Sequence, residues 1–162
     1  MRYFPFLATA VLAVACSESI NEPPAGTRIT VMRLRSDRFS FSYDSQIGQA
    51  ERLVIRDDAA WQAAWASIWR PFAPIAVPPN VDFTREMVMF VALGGRSTGG
   101  YGILVDSAMA TADGVTVWVG TSSPGPRCFT TQAFTAPVDI ARMPRIDASV
   151  RFVDVPTVIQ CY

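Results

Sequence analysis

The alternation of apolar and polar positions predicts a chain built mainly of short β-strands. Between Arg38 and Tyr43 every second residue is aromatic, which is typical of a half-buried strand. Residues 87–93 are apolar at every position, as expected of a strand covered on both faces. Further strands are predicted over residues 28–35, 52–56, 101–106, 115–120, 129–134, 138–143 and 150–155, with turns at 36–37 and 113–114.

One segment has a helical period instead. Asp57 or Asp58 can cap its start, and Pro71 ends it near residue 70. Three tryptophans spaced four residues apart share one face of this helix, namely Trp61, Trp65 and Trp69. Such a stripe favours packing on a sheet, and a carbohydrate platform is the alternative. The prediction is an α+β fold, with a mostly antiparallel β-sheet or sandwich-like core and the Trp-rich helix packed on it.

The N-terminal residues have the pattern of an export signal. Arg2 precedes an apolar run that ends at Ala15 and is shorter than a membrane-spanning helix. The small residues before Cys16 resemble the lipobox of bacterial lipoproteins, in which that cysteine carries the lipid. We therefore predict a signal peptide over residues 1–15, a tether over 16–26 and a single domain over 27–162. An ordinary secretory signal, with Cys16 incidental, is the alternative.

This interpretation places the protein outside the cytoplasm. Because Ser17 follows the lipidated position, the expected location is the periplasmic side of the outer membrane or the cell surface. Such a compartment is oxidising, so Cys128 and Cys161 are predicted to form a disulfide. Two free buried thiols are the alternative.

Composition removes several classes of function. Arginines and acidic residues number fourteen each, so the basic excess needed for nucleic-acid binding is absent. Without His or Lys, the chain lacks His-based acid–base catalysis, Ser–His and Cys–His nucleophile pairs, Schiff-base chemistry and most zinc sites. Carboxylates remain, but they are scattered, and no cofactor or metal site is predicted.

Two loops have unusual compositions. Residues 94–102 contain five glycines and Arg96, and residues 122–128 contain two prolines and Arg127. The first loop lacks the lysine of a phosphate-binding loop. Its glycines can serve a turn with positive φ, bind an anion through backbone amides or let a partner approach closely. The prolines of the second loop lower the entropy lost when a partner docks, or merely stiffen a connection.

These loops carry a resemblance to the PrcB C-terminal domain family. The matching stretches are VDFTREMV at residues 81–88, then Gly94 with STGGY at 97–101, and SPGPRC at 123–128 followed by Thr131 and Gln132. The resemblance extends over about residues 52–153, and Thr84 and Arg127 depart from the family pattern. It implies a lipoprotein subunit that binds and stabilises a surface-exposed bacterial protease, and it supplies no catalytic residues.

The sequence therefore predicts a non-enzymatic, lipid-anchored protein-binding module, with an exported protease as the implied partner. Residues expected at the contact surface are Arg96, Thr98, Gly99, Gly100, Tyr101, Pro124, Gly125 and Arg127. A lipoprotein that binds a saccharide or other small ligand through exposed tryptophans is one alternative. A carboxylate-based hydrolase is another, and it requires two acids that face one cleft.

Overall fold

A computed structural model describes residues 26–34, 45–69 and 76–162. Its strands are β1 (Arg28–Ile29), β2 (Met32–Arg33), β3 (Glu51–Ile55), β4 (Glu86–Ala92), β5 (Gly102–Thr111), β6 (Gly114–Pro124), β7 (Val138–Pro144) and β8 (Val150–Ile159), and its helix is α1 (Asp58–Ile68). The predicted strand at 38–43, the turn at 36–37 and Cys16 lie outside the described residues.

The strands form two four-stranded sheets. The first has the order β1-β5-β6-β8, and the second has the order β2-β7-β4-β3. All pairs are antiparallel except β6 with β8, which run parallel. The two inner faces enclose one apolar core, to which Met89 and Val117 both contribute. This arrangement confirms the predicted sandwich-like core.

The strand β4 is covered on both faces, as its uninterrupted apolar sequence predicts. Met87, Met89 and Val91 point into the core between the sheets. Val88 and Phe90 point to the opposite face and pack beneath α1. The molecule therefore has three layers, and β4 lies in the middle one.

The helix α1 forms the third layer. The carboxylate of Asp57 caps its start by accepting a hydrogen bond from the Ala60 N–H at 2.8 Å. Its tryptophans are buried against the second sheet, which confirms the core-packing interpretation. The Trp61 indole N–H donates to the Pro79 carbonyl at 3.0 Å, so the chain at Pro79 lies against the helix.

Several predicted boundaries were wrong. Residues 28–35 do not form one strand, because the chain crosses from the first sheet to the second between β1 and β2. Residues 129–134 were predicted as a strand but form an irregular loop. The strand β6 continues to Pro124, past its predicted end at residue 120 and into the loop predicted over residues 122–128, because β8 runs alongside it as far as Ile159.

Candidate protein-docking site

Both loops singled out from the sequence lie at the same end of the sandwich. Residues 93–101 join β4 to β5, and residues 125–137 join β6 to β7. An isolated antiparallel bridge between Arg96 and Thr135 connects the two loops directly. We call residues 94–102 and 125–136 the tip.

Hydrogen bonds hold the two loops of the tip together. The Arg96 N–H donates to the Thr135 carbonyl at 2.7 Å, and the Thr135 N–H returns a bond of 2.9 Å. The Gly99 N–H donates to the Thr131 carbonyl at 3.0 Å. The Thr135 hydroxyl donates to the Thr98 carbonyl at 2.9 Å. Because their backbones are paired, the two loops form one surface with a defined shape.

A disulfide joins the tip to the end of the chain. Cys128 and Cys161 are bonded, with their Cα atoms 5.0 Å apart, which is within the usual range for a disulfide. Beside them, the Gly125 N–H donates to the Ile159 carbonyl at 2.9 Å, and the Cys128 N–H donates to the Gly125 carbonyl at 3.0 Å. The structure therefore contains the predicted disulfide. The disulfide and the Gly125–Ile159 hydrogen bond attach the tip to a third segment, the end of the chain.

Gly100 occupies a conformation that requires glycine. Its φ is +88°, and an added Cβ would lie 3.1 Å from the Pro124 side chain and 3.2 Å from that of Thr130. Gly99 and Gly125 are buried, so their contribution to the tip is to bring backbones together. Of the eight residues expected at the contact surface, Gly100 and Arg127 are the exposed ones.

The two arginines of the tip have different surroundings. The Arg96 guanidinium carbon lies 5.5 Å from the Tyr101 ring centroid, and its Nη1 donates to the Gly95 carbonyl at 2.9 Å. Arg96 and Tyr101 are both half-buried, so each still presents part of its side chain at the surface of the tip. Arg127 is exposed, and no acidic side chain in the described ranges forms an ion pair with it.

Sequence reasoning missed two phenylalanines on the same surface. Phe129 is fully exposed, at 106%, and Phe134 is 67% exposed. Reading residues 129–134 as a strand implied that one face of them would be covered. The signal that could have revealed the loop was the TTQA stretch between the two rings, which does not alternate apolar and polar residues.

The structure does not support the alternative sites for a saccharide, a carboxylate-based reaction or a metal. The tryptophan stripe cannot act as a saccharide platform, because Trp61, Trp65 and Trp69 are buried. Asp82 accepts hydrogen bonds from the Thr84 hydroxyl and the Thr84 N–H, and these lower the pKa of its carboxyl. A general acid needs the opposite shift. Among residues 26–34, 45–69 and 76–162, no three or more His, Cys, Asp or Glu side chains cluster as a metal site would require.

The described part of the chain contains no helix long and apolar enough to cross a membrane. What the structure defines is a two-sheet β-sandwich with a helix on one sheet and a hydrogen-bonded, disulfide-braced loop surface at one end.

Part of this domain is similar to a known family. Residues 87–144 match the family model described as PrcB C-terminal, which confirms the resemblance over that segment. The match begins in β4 and ends with β7, so it includes both loops of the tip. No curated protein and no solved structure matches the chain.

Proposed function

We propose that this protein is an extracytoplasmic, lipid-anchored binding module that holds a protein partner at its tip and catalyses no reaction. The family match fits a role in association with a protease complex. An exported protease is therefore the partner that we propose. The observation that carries the proposal is that the two loops picked out from the sequence meet, pair and are braced at one end of the domain.

The place where the chain enters the domain, at Gly26, supports a tip that faces a partner. The Gly26 N–H donates to the Ala110 carbonyl at 2.7 Å, at the end of β5 that lies away from the tip. The ten residues of β5 span about 30 Å at the usual strand rise. If Cys16 carries a lipid, the tether enters the domain at the end near the membrane, and the tip faces outward toward a partner.

Pre-organisation explains why these loops suit binding. A loop that is already ordered loses little conformational entropy when it docks, so more of the contact energy appears as affinity. Backbone pairing, the disulfide and Gly100 fix the loops before any partner arrives.

The double variant Tyr101→Ala and Arg127→Ala tests this site. We expect capture of the native partner from membranes to fall by about tenfold or more, since interface tyrosines and arginines are frequent hot spots. The full-length chain carries an affinity tag in the predicted tether, away from the tip. Quantitative mass spectrometry of the captured proteins gives the fold-change.

A matched control changes two exposed residues at the opposite end, Arg28→Ala and Asp113→Ala. It should capture the partner as the unmodified chain does, and both double variants should keep the thermal midpoint. Equal capture by the tip variant and the control would contradict the proposed site. Turnover of a substrate by purified protein would contradict the non-enzymatic function.

A further inference from the structure

We infer that Phe129 and Phe134 are the two anchors of the tip, and that they dock into apolar pockets on an acidic surface of a protein partner. This inference rests on the proposed function, because it names the chemistry of the partner at the same site.

The first support is exposure at a place where the backbone is fixed. Phe129 follows the disulfide-bonded Cys128, and its ring is fully exposed. Phe134 precedes Thr135, whose N–H and C=O are both paired with Arg96. Large exposed aromatic side chains on an ordered backbone are the residues that bury the most area on docking at a small entropic cost.

The second support is the close packing of the Phe134 ring on Gly95. A Cβ on Gly95 would lie 2.5 Å from the Phe134 Cζ and 2.9 Å from its Cε2. The edge of the ring therefore rests on the glycine backbone, while 67% of the side chain stays exposed. The tip holds this aromatic ring in one direction without burying it.

The third support is charge. Both segments of the tip together contain Arg96 and Arg127 and no Asp or Glu. Of the eight described arginines outside the tip, four pair with an acid, whereas neither arginine of the tip does: Arg33 pairs with Asp139, Arg52 with Asp154, Arg142 with Glu86 and Arg145 with Asp147. A surface with two aromatic anchors and only positive charges complements an acidic surface with apolar pockets.

An anionic membrane could also attract arginines and aromatic rings. The fold favours a protein, because the chain enters β1 at the end opposite the tip. If Cys16 carries a lipid, the tether therefore joins the domain at the end opposite the phenylalanines.

Photo-crosslinking in native cells tests the inference. A benzophenone amino acid replaces Phe129, Phe134 or, as a control, Val77, which is 88% exposed and does not belong to the tip. We expect both tip positions to crosslink one and the same polypeptide, and Val77 to give none of it. Arg127→Glu should lower the yield from position 134 by about tenfold, because it places an acid against an acidic surface.

Two variants separate anchoring from folding. The double variant Phe129→Ser and Phe134→Ser should weaken capture of that polypeptide by about thirtyfold or more, as expected of two hot spots. Gly95→Ala should weaken it through displacement of the Phe134 ring, while the Phe134→Ser chain should be insensitive to the same change. Thermal midpoints of these variants should match that of the unmodified protein.

The possible failures are distinguishable. If the phenylalanine variants bind normally while Tyr101→Ala with Arg127→Ala does not, the proposed function stands and the anchors are wrong. If no tip position crosslinks a polypeptide, both fail. Crosslinks to lipid, or sedimentation of the unlipidated chain with phosphatidylglycerol vesicles that is lost in the double serine variant, would overturn the protein partner in favour of a membrane.

Discussion

Replacing Cys128 and Cys161 together by serine is expected to lower the free energy of unfolding by about 4 kcal/mol, the chain-entropy value for a closed loop of this size. The bridge spans a separation of 33 residues, and that loop includes all of β7 and β8. Without it, the unfolded chain gains freedom that the native state does not share.

The effect should be concentrated at the tip in the native state. Without the bridge, the Gly125–Ile159 hydrogen bond is the remaining backbone link between the tip and the end of β8. We expect hydrogen exchange to accelerate over residues 125–136, whereas β4, buried on both faces, should stay protected until global unfolding.

Urea unfolding monitored by tryptophan fluorescence measures the change. Reductant provides the control: it should bring the unmodified protein to the midpoint of the serine variant and leave the variant unaffected. A loss below about 1 kcal/mol, far under the loop-entropy value, would contradict the stabilising role given to the bridge.

Replacing Trp61 by alanine is expected to cost about 3–5 kcal/mol, the range for truncation of a large buried aromatic residue. The Trp61 side chain is 1% exposed, and its ring centroid lies 5.3 Å from that of Trp65. Truncation leaves a cavity between α1 and the second sheet and removes the donor to the Pro79 carbonyl.

The neighbouring residue supplies the matched control. Gln62 is exposed on the same turn of α1, so Gln62→Ala should change stability by less than about 0.5 kcal/mol. Trp61→Phe should lie between the two, because it keeps an aromatic ring but not the indole N–H. The result that would contradict the account is an alanine variant as stable as the control, since this tryptophan would then contribute little to the core.

Local sequence patterns predicted those elements whose own residues determine which faces are buried. A strand with apolar residues at every position, such as residues 87–92, has few stable places other than the middle of a layered fold. The tryptophan spacing likewise predicted α1, and of its two candidate caps, Asp57 and Asp58, the structure has Asp57 at the start.

Features that depend on distant partners could not be predicted in this way. The parallel pairing of β6 with β8 joins segments separated by β7, and it carries β6 through the serines to Pro124. Nothing in those residues indicates a neighbour more than thirty positions away. The division of residues 28–33 between two sheets has the same cause.

The tip was predictable in part. Glycines and prolines marked both loops because positive φ and fixed φ favour these residue types. Their meeting at one end follows from the order of strands, which local patterns do not give. Phe129 and Phe134 are exposed because no other segment of the described chain packs over them, and the local sequence does not show which segments pack where. Their exposure is therefore seen only in the folded structure.

Hydroxyl-radical footprinting of the full chain, in intact cells and after purification, tests most directly whether the tip is a docking surface. Met32 is 42% exposed on a short edge strand outside the tip and serves as the internal reference. We predict that Phe129 and Phe134 are oxidised readily in the purified protein and become protected in cells, relative to Met32. Equal oxidation of both phenylalanines in the two preparations would show that nothing covers this end of the molecule, and would contradict the account.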